Sequence, residues 1–577
     1  MTSGLMAAPG SRRGDARRGA AAIAAALARA GTRLLFGVPG GGPNLDVVGA
    51  AAASGMSFIL AHGETAATIM AATCADLTGV PGAVVVTRGP GLASAVNGIA
   101  HATLDRLPVV VIADTVPADQ RDRISHQRLD QAVLGRSVAK AALTAGPREP
   151  ERTAELAVRL ALAAPAGPVL VNMDPGAEGA AGAGEGPAGD GAPAGDGGPS
   201  PSPDARPGTP GSDLAPLAAA LRTARRPVVL LGPGSAVHAG AVRGALAGSG
   251  IPALHTYRAR GIVPDSAAEA AGLVTGGTME WPLLAASDLI VGLGVDPAEM
   301  IPAAWDYAAR TILVTETGAP AGGGRRYFTG STELCAPPGA AAGLIAEHVR
   351  QHDWPPAAGR AAKLAAAARL REAARAAPGL LSPQDVVGTV RALTPAETIA
   401  TVDAGAHMLV AMPLWEVDEP HRLLISSGLA TMGYALPAAI GAALCTPGVP
   451  VVAFTGDGGL GMTLMEIETA VRLRLRVVVV VFNDATLSLI KIKQRPAGHG
   501  GPEAVGYGPA SFAAIATAMG AAGASAGDTA RLASELAAAL GRDGPTVIDA
   551  MVDPATYPQV MDLTRGETGR RPPPTGS

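Results

Sequence analysis

Cysteine is scarce in this chain: 577 residues contain three, Cys74, Cys335 and Cys445, far apart and in no metal-binding spacing. That supports neither a disulfide framework nor a thiolate metal centre, and it points to a reducing, cytoplasmic interior. Long apolar runs are also missing. None reaches the roughly 18 residues that a membrane-spanning helix needs. A net charge of −4 gives no electrostatic footprint for nucleic acid. The first 17 residues hold several arginines but no apolar segment, so they read as a disordered tail rather than a signal peptide. What is present is a chain 48% hydrophobic and 16% charged, long enough for three or four domains with sizeable cores. Ala, Gly, Pro and Arg are in such excess that counts of Ala or Gly carry little weight.

The most informative stretch is Val451 to Gly461 with Val477 to Lys493, reading VVAFTGDGGLG and VVVVVFNDATLSLIKIK. Val451–Phe454 and Val477–Phe482 have the continuous apolar character of parallel strands buried on both faces. Each ends in a polar loop, and open parallel sheets bind ligands at the carboxyl ends of their strands. Gly456, Gly458 and Gly459 surround Asp457 and let backbone approach a large anion. Asp457, Asp484 and the carbonyl of Thr486 form an oxygen set of the kind Mg²⁺ prefers. An aspartate in this position can also serve as a plain helix cap.

The same β-α alternation runs through the rest of the chain, which predicts an α/β protein of doubly wound parallel sheets. An Ala-rich helix over 18–35 leads to a strand ending at Gly40-Gly41-Gly42. The strand Ser57–Ala61 ends at His62-Gly63-Glu64, and Gly82–Thr87 ends at Arg88-Gly89-Pro90-Gly91. Residues 18–175 make one domain. Residues 176–212, almost wholly Gly, Ala, Pro, Asp and Glu, read as a flexible linker. Residues 213–355 make a central domain, and after the helical stretch Ala357–Ala377 a third domain covers 380–560. The last residues are Pro/Gly/Arg-rich and read as disordered.

GDG followed by Asn483-Asp484 resembles the diphosphate-binding motif of the thiamine diphosphate (ThDP) enzymes, within the family of acetolactate synthase, benzoylformate decarboxylase and pyruvate oxidase. The separation of 27 residues, 484 − 457, is that family's spacing. The resemblance implies a pyrimidine-binding, a central and a diphosphate-binding domain, with ThDP and Mg²⁺ as cofactors. It makes Asp457, Asp484 (where the family usually has Asn) and Thr486 the metal ligands. Glu64, in HGETAA, matches the glutamate that bonds the cofactor's pyrimidine, although first-turn acids are also favoured by the helix dipole alone. Gly89-Pro90-Gly91 is similar to the family's SGPG loop, and Gly405-Ala406-His407 to its GQH diphosphate contact, with Ala406 in place of Gln. Ser427-Gly428-Leu429-Ala430-Thr431-Met432 resembles the synthase segment in which Met432 is the apolar wedge under the bent cofactor. With Gly40, these residues form the implied cofactor site.

For substrate, Gln127 and Lys140 fit the synthases' FQE…D…TK segment, while His126 and Arg128 depart from it and put pyruvate in doubt. The synthases also hold FAD, partly through an arginine in a GARFD-like segment. Here that segment reads Gly292-Leu293-Gly294-Val295-Asp296-Pro297, and the missing arginine argues against bound FAD. The implied activity is decarboxylation of a 2-keto acid with ligation of the remainder to a second carbonyl compound. Simple decarboxylation to an aldehyde stays open as the alternative. The resemblance also implies a homodimer or homotetramer with sites at subunit interfaces, and no nucleic-acid or membrane partner.

Overall fold

The computed structural model describes residues 9–176, 213–300, 305–316, 327–349, 351–497 and 501–566. Apart from Gly176, the expected linker lies outside the described residues, as does the expected disordered segment after residue 566. The chain divides into two compact units, Met1–Pro203 with Ile440–Thr446, and Asp204–Ala439 with Pro447–Ser577.

The first unit is built on a six-stranded sheet: β1 Leu34–Val38, β2 Ser57–Leu60, β3 Gly82–Val86, β4 Val109–Asp114, β5 Ala141–Ala145 and β6 Val169–Met173. Its order is β2-β1-β3-β4-β6-β5 and every pairing is parallel. β3, β4 and β6 are buried along their whole length, as the Val-rich sequences require of strands covered on both faces.

The second unit carries two more sheets. One contains β7 Pro227–Leu231, β8 Ala253–His255, β9 Ala270–Leu273, β10 Leu289–Leu293, β11 Arg310–Thr315 and β12 Thr332–Cys335, in the order β12-β11-β10-β7-β8-β9. The other contains β13 Ile399–Val402, β14 Leu423–Ile425, β15 Val451–Gly456, β16 Val477–Asn483, β17 Ala522–Ala526 and β18 Thr546–Met551, in the order β14-β13-β15-β16-β18-β17. The fold is three six-stranded parallel sheets flanked by helices, α/β throughout. The first and third sheets share one strand order. Each reverses direction between its first and third strands, where open α/β sheets place their ligands.

In the middle sheet the corresponding reversal lies between β7 and β10. There the Gly234 amide donates to Gly294 O at 2.9 Å, and a Cβ on Gly232 would stand 2.4 Å from the same oxygen. The middle and third sheets are clasped by Arg260, which donates to Met412 O and Trp415 O and pairs with buried Asp265.

Two expectations are corrected. The N-terminal helix runs Pro9–Arg29, so it begins inside the stretch read as a disordered tail. From Ala16 on it buries Ala20, Ile23, Ala24 and Leu27, an apolar stripe that the arginines between Arg12 and Arg18 obscure. Cys74 and Cys445, 371 residues apart in sequence, form a disulfide within the first unit. Spacing cannot reveal such a pair, and the cysteine count loses its weight as an argument for a reducing compartment.

Candidate active site

In the first unit, the loops after β1, β2 and β3 converge. The helix Glu64–Thr78 starts directly after β2, with Gly63 extended at its N-terminus. Glu64 Oε1 lies 3.2 Å from the position a Cβ on Gly91 would occupy, and a Cβ on Gly40 would collide with Thr87 Oγ1 at 2.3 Å. Only glycine leaves this crevice open at those two places. Burial raises the Glu64 carboxyl above the usual carboxylate range, with its own backbone amide opposing in part.

The Gly89-Pro90-Gly91 turn is held by groups that sequence reading missed. The Gly89 amide donates to Gln131 Oε1 at 3.1 Å, and Gln131 Nε2 donates to Asn172 Oδ1 and Asp114 O. Buried Asp114 accepts from the Arg88 amide and from Asn44 Nδ2, and pairs with the Arg88 guanidinium at 3.3 Å. Asn44 Oδ1 in turn accepts the Gly40 amide at 2.8 Å. The one sequence signal for this network is an acid, Asp114, closing an otherwise apolar strand.

In the second unit, the loops after β13, β14, β15 and β16 share one edge of the third sheet. Gly456 stands opposite Phe482 in the β15–β16 register, so Asp457 and Asp484 leave neighbouring strands almost together. Asp457 opens the helix Asp457–Thr463 and its Oδ1 accepts the Gly458 amide at 2.6 Å. Among the described residues its buried Oδ2 has no hydrogen-bond partner. Asp484 Oδ1 accepts the Thr486 amide at 3.0 Å and its Oδ2 accepts Ser488 Oγ at 2.5 Å. Burial, and then the charge of Asp457, push the Asp484 carboxyl up to about 7. The buried phenol of Tyr557 is held protonated by burial and by the fields of Asp484 and Asp457.

His407 is buried and stacks on Phe482 with ring centroids 5.1 Å apart. Burial lowers it to about 4, so the imidazole is neutral and its Nε2 has no partner. A Cβ on Gly456 would touch this ring at 3.5 Å, and one on Gly458 would press on Leu487 at 2.8 Å. Gly405 lies directly against His407, and Ala406 is buried beside it. The Gly428–Met432 loop turns at Gly433, φ +75°, against Thr463 and Met462.

Its anchor is Asp403, a further residue without a sequence signal. Asp403 accepts the Ala435 amide at 2.8 Å and Thr455 Oγ1 at 2.6 Å, and burial pushes it up to about 6. The unpartnered Asp457 and His407 atoms and the glycine cradle fit a diphosphate with its divalent cation. The Thr486 carbonyl accepts the Ser488 amide at 2.8 Å and retains a second lone pair for such a cation.

The remaining motif residues are placed as follows. Lys140 donates to Leu160 O and Pro165 O at 2.7 Å and to Ala163 O. It caps the helix Pro150–Leu162, and all three of its donors meet backbone oxygens. Asn483 donates to Asp549 Oδ1 and Ala510 O. Gln127 adopts φ +56° and sets its backbone oxygen against Gly89, while its side chain and that of His126 are exposed.

Comparison with known proteins agrees with this geometry. Two family models match: the N-terminal TPP binding domain of thiamine pyrophosphate enzymes over residues 17–134, and the C-terminal TPP binding domain over 403–550. Both models describe the regions that bind thiamine pyrophosphate in that enzyme family. The chain is similar to acetolactate synthase of Bacillus subtilis (strain 168), 29% identical over 552 residues and covering 93% of each chain. It is equally similar to the catabolic acetolactate synthase of Raoultella terrigena, 29% identical over 566 residues, covering 94% of this chain and 96% of that one. In fold it matches the thiamine diphosphate-dependent 4-hydroxybenzoylformate decarboxylase of Rhodococcus jostii RHA1, with a TM-score of 0.74 at 20% identity, over 92% of this chain and 99% of that chain.

Proposed function

We propose that this enzyme uses ThDP and Mg²⁺ to decarboxylate a 2-keto acid and ligates the remaining fragment to a second carbonyl compound, as an acetolactate synthase does. The observation that carries the reading is similarity to acetolactate synthases over more than nine-tenths of the chain, together with Glu64 and the Asp457–Asp484 pair on loops at the carboxyl ends of their sheets' strands. When bound, ThDP supplies the carbon nucleophile and the electron sink for loss of CO₂.

The chain's own residues do the rest. Glu64, raised by burial, holds and returns a proton at Oε1 in a crevice kept open by Gly40 and Gly91. Asp457, Asp484 and the Thr486 carbonyl hold Mg²⁺, and the glycines about Asp457 admit the diphosphate. Met432 serves as the apolar support under the cofactor. His407, neutral and lacking a partner at Nε2, lines the diphosphate end. Exposed His126, on the loop Ser125–Asp130, favours a second reading: an imidazole there would return a proton to the fragment, and the product would be an aldehyde.

The enzyme works as a homodimer or homotetramer, with Glu64 of one subunit serving the diphosphate site of another, and it resides in the cytoplasm. The test incubates the protein with ThDP, Mg²⁺ and a panel of 2-keto acids, following CO₂ and identifying products. Acetolactate from pyruvate settles the synthase reading, and an aldehyde alone from another keto acid selects the second. Glu64→Gln abolishes either activity. CO₂ release that survives this substitution unchanged overturns the assignment of Glu64.

A further inference from the structure

We infer that the Asp457–Asp484 pair takes up a divalent cation on its own, before any diphosphate is present. The inference rests on the reading above for the location of the site, and goes beyond it in the order of assembly.

Two carboxylates leave adjacent strands one residue apart in register, because Gly456 stands opposite Phe482. Asp457 is 7% exposed, and its Oδ2 accepts no hydrogen bond. Among the described residues neither carboxylate is in an ion pair. The Lys491 charge acts on Asp484 less than burial, the Ser488 hydrogen bond, the Asp457 charge or the Thr486 amide. Tyr557, the other titratable group felt here, stays neutral. Two like charges in a partly desolvated place repel by about 4 kcal/mol at 4 Å and an effective dielectric of 20. A cation between them converts that repulsion into two attractions.

Orientation is the second element. The Thr486 amide and Ser488 Oγ hold one oxygen each of Asp484. Half of the ligand pair is therefore fixed before the cation arrives, and little ordering remains to oppose binding. With the Thr486 carbonyl the protein offers three hard oxygens, and water can complete the octahedron of a small divalent ion. The anionic diphosphate then meets a neutralised site rather than two bare carboxylates.

The test is calorimetry and Mn²⁺ electron paramagnetic resonance on full-length protein stripped with EDTA and desalted, titrated with MnCl₂ without ThDP and then with it. Wild type is expected to bind one Mn²⁺ per chain in the absence of ThDP. Asp484→Asn should weaken that binding at least tenfold while still binding Mn²⁺ once ThDP is added, and Ser488→Ala should weaken it by a smaller factor. Wild type that takes up Mn²⁺ only with ThDP overturns the inference and leaves the site standing. Asp484→Asn binding Mn²⁺ alone as tightly as wild type overturns it too. No Mn²⁺ uptake under either condition removes the site and the ThDP reading together. If Asp484→Asn fails to fold, the wild-type titration alone decides.

Discussion

Glu64 Oε1 stands 3.2 Å from the point where Gly91 would carry a side chain, so the acid and the turn after the next strand are fitted to each other. Gly91→Ala would bring its methyl within 2.8 Å of Thr87 Cγ2 as well, and the softer neighbour to yield is the carboxylate. We expect turnover to fall by roughly tenfold to a hundredfold, the loss typical when a reacting group is misplaced by about 1 Å. Steady-state kinetics beside a thermal melt checks this: a large loss of kcat with an unchanged melting temperature is the expected pattern.

Asp403 ties the Met432 loop to the strand that delivers Asp457. Asp403→Ala leaves the Ala435 amide and Thr455 hydroxyl without their acceptor, at a cost of about 2–4 kcal/mol. Asp403→Asn should cost less than half as much, because its carbonyl still receives the Ala435 amide while Thr455 rotates to accept. Urea denaturation of the two variants tests the ordering.

Asp484 predicts a pH effect with a definite sign. Its carboxyl is raised from 3.8 to about 7, so the folded chain retains a proton that the unfolded chain gives up. This group's contribution to the stability of the cation-free protein therefore falls as pH rises from 3.8 to about 7, and is level above. Asp484→Asn removes that slope and should stabilise the cation-free protein by roughly 1–3 kcal/mol at about pH 8, with little change at about pH 4. Denaturation in EDTA at the two pH values, compared with wild type, measures the difference.

Lys140 is held at a helix end by three backbone oxygens. Lys140→Met should lower stability by about 1–2 kcal/mol through the lost charge-assisted hydrogen bonds, and leave KM for the keto acid within about twofold. A KM increased tenfold at unchanged stability would place Lys140 at the substrate site.

How much of this was legible varied with residue chemistry. β15 and β16 announce themselves, since runs of valine have few other uses, and GDG with Asp484 marks their loops. The edge strands β5 (AALTA) and β17 (AGASA) carry almost no β-branched residues, and only pairing with a better-marked neighbour makes them strands. Glu64 was readable from its local string. Asp403, Gln131 and Asn44 were not, because each works through partners that sequence does not bring near. Lys140 shows the converse: its position matched a substrate residue, but the three carbonyls that occupy it lie 20 to 25 residues further along the chain.

The first and third sheets are one blueprint executed twice, strand for strand. One copy carries Glu64 on the loop after its second strand, and the other carries Asp457 and Asp484 on the loops after its third and fourth. Chemistry on such a scaffold is a property of the turns, and the strands beneath can stay unaltered while substrates change. Divergence that alters what this enzyme consumes should therefore be written in stretches such as 120–130, where side chains stand largely exposed, with the valine framework passed on intact.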